Sequence, residues 1–182
     1  MPADQPGSAY FLDHLDVAEQ RATFAVIVAN EPGVLHRVVG LFAARGYNIE
    51  SLTVAETDRR AHTSRITIVT SGTVETLAQI RAQLEKMVAT LEVHDVSRDP
   101  LGVERELALV KVSGRGADRD EALRISKGFE AKVVDSTDES FIFEVTGDSS
   151  ENDRFIEQLR SLGLVEVSRT GVLSITRGKE AM

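Results

Sequence analysis

The sequence predicts an α+β protein of two tandem ferredoxin-like units, each a four-stranded antiparallel sheet with two helices on one face. Three observations predict it. Strand and helix periodicities follow one another in the order β-α-β-β-α-β, and that order then repeats. The halves echo each other locally: Val69-Thr70-Ser71-Gly72-Thr73 matches Val145-Thr146-Gly147-Asp148, and Leu91-Glu92-Val93 matches Val165-Glu166-Val167. A chain of 182 residues also has room for two small units.

Each element has its own local reason. Residues 22–29 form an uncharged run containing Phe24, Val26, Ile27 and Val28, a buried strand. After a turn at 30–33, Val34, Leu35, Val38, Val39, Leu41 and Phe42 mark one face of a helix that Gly46 ends. Residues 47–57 predict a second strand and 58–61 a polar turn. Ile66 and Ile68, at period two, place a third strand over 64–70. Thr73 caps a helix carrying Val74, Leu77, Ile80, Leu84, Met87 and Val88, and 91–97 is a fourth strand. The segment 98–102, with Pro100 and Gly102, punctuates the chain. The second round then runs as a strand over 107–112, a helix over 117–127 ended by Gly128, and strands over 130–135 and 140–146. A helix capped by Ser149 or Ser150 and carrying Phe155, Ile156, Leu159 and Leu162 follows, then a strand over 164–168 and a short extension over 172–175. The expected domains are 21–98 and 103–178, preceded by a mobile arm over 1–20 in which Tyr10, Phe11 and Leu12 are available to dock on a partner.

Composition excludes whole classes of chemistry. With 0 Cys there is no disulfide scaffold, thiolate metal site, iron–sulfur cluster or Cys nucleophile, and copper chaperones of this fold are ruled out. The net charge of −8 argues against nucleic acid and against anionic membrane surfaces. No apolar stretch approaches a transmembrane length, and the acidic N-terminus (Asp4, Asp13, Asp16, Glu19) is not a signal peptide, so a cytoplasmic location is expected. His14, His36, His62 and His94 show no metal-ligand spacing, and no metal site is expected. Asp118, Asp120, Glu121, Asp138 and Glu139 lie in polar loop or helix-start contexts, a solvated face rather than an acid/base pair. Gly114-Arg115-Gly116 begins like a dinucleotide fingerprint but lacks its third small residue and its topology. Phe141 and Phe143 fit a core, not an RNA platform. Units of about 75 residues bury little surface, so an unpaired sheet face or edge is expected to find a partner.

One loop carries a binding signal. In Asn30-Glu31-Pro32-Gly33-Val34-Leu35, Gly33 lets a ligand approach the backbone, and the Val34 and Leu35 amides at a helix N-terminus suit a carboxylate. Asn30 offers an amide oxygen to an ammonium. Together these fit a free α-amino acid, although the hexapeptide alone reads first as an ordinary strand–helix turn.

From this loop through Gly46-Tyr47-Asn48-Ile49-Glu50-Ser51-Leu52, and again at residues 64–69, 103–112 and 166–172, the chain closely resembles the ACT-domain regulatory (small) subunits of acetolactate synthase, also called acetohydroxyacid synthase. The resemblance spans about residues 22–178. It implies a non-catalytic subunit that binds a thiamine-diphosphate-dependent catalytic subunit, raises its activity and confers feedback inhibition by valine or a related branched-chain amino acid. Thiamine diphosphate, Mg and FAD are then expected in the catalytic partner and no cofactor in this chain. It also implies an ACT-domain homodimer with the effector at its interface, contacted by Asn30, Gly33, Val34 and Leu35 of one copy and Asn48 and Ile49 of the other. The second unit lacks the Asn-x-x-Gly arrangement, so no second effector site is expected. A stand-alone amino-acid sensor serving another enzyme or regulator is the alternative.

Overall fold

The computed structural model describes residues 18–179. The first round comprises β1 (Gln20–Ala29), α1 (Val34–Arg45), β2 (Ser51–Asp58), β3 (Thr63–Gly72), α2 (Val74–Glu85) and β4 (Thr90–Asp95). A 3₁₀ turn at Val96–Arg98 leads into the second. That comprises β5 (Gly102–Ser113), α3 (Ala117–Gly128), β6 (Lys132–Ser136), β7 (Ser140–Gly147), α4 (Ser149–Arg160), β8 (Leu164–Arg169) and β9 (Leu173–Thr176). Residues 1–17 of the expected arm, with Tyr10, Phe11, Leu12 and His14, lie outside the described residues. No helix among the described residues is long and apolar enough to cross a membrane.

The first sheet has the order β2-β3-β1-β4 and the second β6-β7-β5-β8, every pairing antiparallel. Period-two alternation sends Phe24, Val26 and Val28 of β1 toward the helices, where they meet Val34, Val38, Phe42, Leu77, Ile80 and Leu84. In the second unit Ala108, Val110, Phe141, Phe143, Phe155 and Leu159 form the equivalent core. Phe143 meets Phe155 edge-on, with ring centroids 6.1 Å apart.

The structure differs from the sequence expectation at several element ends. β2 starts at Ser51, not at 47, because the Tyr47 N–H closes α1 onto the Phe42 carbonyl at 3.0 Å and its ring packs edge-on against Phe42. α2 ends at Glu85, leaving Val88 almost wholly exposed while Ala89 turns into the core. β6 starts at Lys132, since Glu130 takes a left-handed φ of 54° and the Ala131 N–H bonds back to Ser126. The cap of α4 is Asp148, not Ser149 or Ser150. Its carboxylate accepts the Glu151 N–H at 2.8 Å, and the Glu151 side chain accepts the Asp148 N–H at 3.0 Å.

The second sheet gains a fifth strand. β5 is longer than expected because β9 pairs with its N-terminal part, Val103 opposite Ile175 and Arg105 opposite Leu173. β8 and β9 therefore run one after the other along β5, broken at residues 170–172. The expected bare face is also different in the first sheet. Thr23, Ala25, Thr67 and Val69 point away from the helices, yet all four are buried.

Hydrogen bonds from Ser150 and the Glu151 amide hold the Asp148 carboxyl below its ordinary value. A depressed carboxyl stabilises the fold above its unfolded pKa of about 3.9, and that contribution fades as pH falls through the folded value. Asp148→Ala should therefore cost about 1 kcal/mol in denaturant unfolding at pH 7. The difference from wild type should shrink in the same measurement at about pH 3.

Candidate functional site

The loop after β1 is built from backbone bonds. Asn30 donates its N–H to the His62 carbonyl at 2.7 Å and its side-chain Nδ2 to Glu56 Oε1 at 3.3 Å. With that assignment Oδ1 remains an acceptor. Gly33 sits at the N-cap of α1 with φ 84°, and no side chain caps the helix. A Cβ there would meet nothing within 4 Å, so backbone conformation, not crowding, calls for glycine.

One expected feature is corrected. The Val34 N–H is not free, because it donates to the Glu31 carbonyl at 3.3 Å, and the Val34 side chain is buried in the core. The first-turn amides left without an intrahelical acceptor are those of Leu35 and His36. The Leu35 side chain is exposed.

Asn48 and Ile49 lie at the opposite end of α1. The Asn48 carbonyl accepts the Thr70 hydroxyl at 2.6 Å, and Ile49 is half-buried against the core. A helix of 12 residues spans about 18 Å, so one chain does not bring Asn48 and Ile49 to the Asn30 loop. The other sequence candidates stay apart. His94 pairs with Glu92 at 3.1 Å, Glu121 with Arg124, and Glu139 with Arg115. Among the described residues no three His, Asp or Glu side chains gather where they could hold a metal ion.

A cleft of about 560 Å³ lies between the two units, and the sequence reading missed it. Arg21 of β1 reaches Glu50 at 3.6 Å and Glu104 of β5 at 3.2 Å. Arg169 of β8 binds the buried Glu106 at 2.5 Å and Asp153 of α4 at 2.6 Å. Hydrogen bonding to Glu106, with Asp153 adding to it, raises the Arg169 guanidinium above its ordinary value. Beside these pairs the 170–172 break touches β2. The Val172 N–H donates to Ser51 Oγ at 3.0 Å, and Thr53 donates to the Thr170 carbonyl at 3.5 Å. These partners lie up to 121 residues apart, and no local pattern announces them.

Known proteins match both halves of this arrangement. Residues 24–92 match the family described as the AHAS small subunit-like ACT domain, and residues 105–178 the family described as the small subunit of acetolactate synthase. The chain belongs to the acetolactate synthase small-subunit family. A probable acetolactate synthase small subunit from Archaeoglobus fulgidus is 43% identical over 158 residues, covering 87% of this chain and 98% of that one. The acetolactate synthase isozyme 3 small subunit of Escherichia coli is 42% identical over 163 residues, covering 89% and 99%. The crystal structure of the acetolactate synthase small subunit from Thermotoga maritima superposes with a TM-score of 0.78 at 34% identity, over 88% of this chain and 99% of that chain. As a small subunit of this family the chain is regulatory and non-catalytic.

Arg169 compensates a buried carboxylate. Arg169→Met should destabilise the fold by about 3 kcal/mol, because Glu106 is left charged and unpaired. Adding Glu106→Gln should recover part of that loss in the same denaturant titration.

Proposed function

We propose that this chain binds the acetolactate synthase catalytic subunit, raises its activity and confers feedback inhibition by valine. The effector-binding domain is 21–98, and 103–178 is the second domain. Valine lies at the interface of a homodimer, against Asn30, Gly33 and Leu35 of one copy, with Val34 behind them in the core, and against Asn48 and Ile49 of the other. Thiamine diphosphate, Mg and FAD belong to the catalytic partner.

The observation that carries this reading is the placement of the two residue groups at opposite ends of α1. A two-fold pairing of β2 edges, antiparallel by symmetry, sets the end of β2 beside the start of its partner. Asn30 bonds Glu56 near the end of β2, and Asn48 and Ile49 precede its start. The symmetry that completes the sheet thus joins the two halves of the site. β2 is an edge strand whose Val54 is exposed, and Leu35 and Val39 of α1 also expose apolar surface.

The chemistry follows from these atoms. The Leu35 and His36 amides face a carboxylate, and Oδ1 of Asn30 accepts from an ammonium. Val34 acts by holding the helix start in the core. Leu35 and Ile49 supply apolar walls, and one methylene alters affinity by only about 1–3 kcal/mol, so leucine and isoleucine should compete weakly. Feedback is linkage: valine shifts the complex toward the arrangement that it binds better.

Calorimetry on the purified chain should show valine binding, and Gly33→Asp should abolish it by placing a carboxylate beside that of the effector. Retention of wild-type feedback by Gly33→Asp in the reconstituted enzyme would place the site elsewhere. Asn30→Ala should weaken feedback in that complex while leaving activation largely intact. Loss of both together would show that Asn30 serves only the turn.

A further inference from the structure

We propose that residues 170–172, the break between β8 and β9, form the mechanical link through which effector occupancy reaches the second unit. This rests on the valine-site reading above.

The link begins at the effector segment itself. Asn48 is tied to the end of β3 through the Thr70 hydroxyl, and the Glu50 N–H bonds the Val69 carbonyl at 2.8 Å. Ser51 follows directly and opens β2. Its register partner is Val69, and that of Thr53 is Thr67, so both hydroxyls lie on the sheet face turned away from the helices. There Ser51 Oγ accepts the Val172 N–H, and Thr53 donates to the Thr170 carbonyl.

The contact has no slack. Gly171 has a φ of 82°, and a Cβ on it would lie 2.7 Å from Ser51 Oγ and 2.9 Å from Thr53 Oγ1. Close-packed groups transmit displacement, whereas a gap would absorb it. Beyond the contact, the break is tied to the second sheet. Thr170 exchanges bonds with Leu107 of β5, N–H to carbonyl at 3.0 Å and Leu107 N–H to Thr170 Oγ1 at 3.1 Å. Val172 is buried, and Arg169 next to Thr170 carries the link to Glu106 and to α4 through Asp153.

The neighbouring cleft supplies the freedom to move. It is lined by Arg21, Glu50 and Asp153, whose partly exposed ion pairs are weak individually and re-form readily. A shift at Asn48 and Ile49 therefore moves Ser51, presses on Gly171 and turns the second sheet about this contact.

The test combines two readouts on the full chain. Ser51→Ala with Thr53→Val removes the two side-chain hydrogen bonds from β2 to the break without adding bulk. Valine affinity by calorimetry should stay within about threefold of wild type, since neither residue is among those placed around the effector. Maximal inhibition by valine in the reconstituted complex should fall by at least about fivefold. Full inhibition with normal binding would overturn the proposal. The second readout needs no valine: amide hydrogen exchange at Val172 and Leu107 should accelerate by about tenfold or more in Ile49→Ala. Unchanged exchange there would overturn the link. If the wild-type chain binds no valine but the exchange response is present, the effector reading fails and the link stands.

Discussion

Everything in this molecule depends on the central strand β1 being buried on both faces. Phe24, Val26 and Val28 face the helices, while Thr23 and Ala25 face the other way and are equally dry. A unit this small has little apolar surface to bury, and its few aromatics make each core thin. Closing the second face therefore matters to the fold. It also means that the two units are not beads on a string. The 3₁₀ turn, the Asp99 bonds to Leu101 and Thr176, and the 170–172 break hold one against the other.

The sequence showed what periodicity and caps encode. An uncharged apolar run located β1, period-two spacing of Ile66 and Ile68 located β3, and the helical stripes of α1 and α4 were visible in Val34, Val38, Phe42 and in Phe155, Ile156, Leu159. It misjudged places where two local signals compete. Two serines stood where a cap belongs, but Asp148 with Glu151 three residues later makes the reciprocal pair. Val88 continued the apolar stripe of α2, yet the helix had already ended. The contacts between units were illegible for a different reason. Arg169 and Glu106 are 63 residues apart, and Ser51 and Val172 are 121 apart, and each residue is unremarkable in its own neighbourhood. The candidate loop was visible because all its donors and acceptors lie within six residues. Asn48 and Ile49 stand about a helix length away, at the far end of α1.

Two glycines show how differently one residue type can be required. Gly33 and Gly171 have nearly the same positive φ, 84° and 82°. Around Gly33 there is open space, suited to receiving something from outside. Around Gly171 two hydroxyls already occupy the place of a side chain. The first glycine serves an approach and the second a fit, so substitutions at the two sites report on different properties of the same chain.

The unpaired edge of β2 has a consequence for how much of this chain a cell should hold. An edge of 8 residues offers its backbone groups to any strand that meets it. Pairing about a two-fold axis consumes both edges at once and stops there. Glu56 and Asp58 near the end of the strand make other registers less welcome by placing carboxylates on the exposed rim. A subunit built this way is safest when made in step with copies of itself. A chain truncated within β2 loses the register that makes this pairing self-limiting and leaves an edge open to other strands.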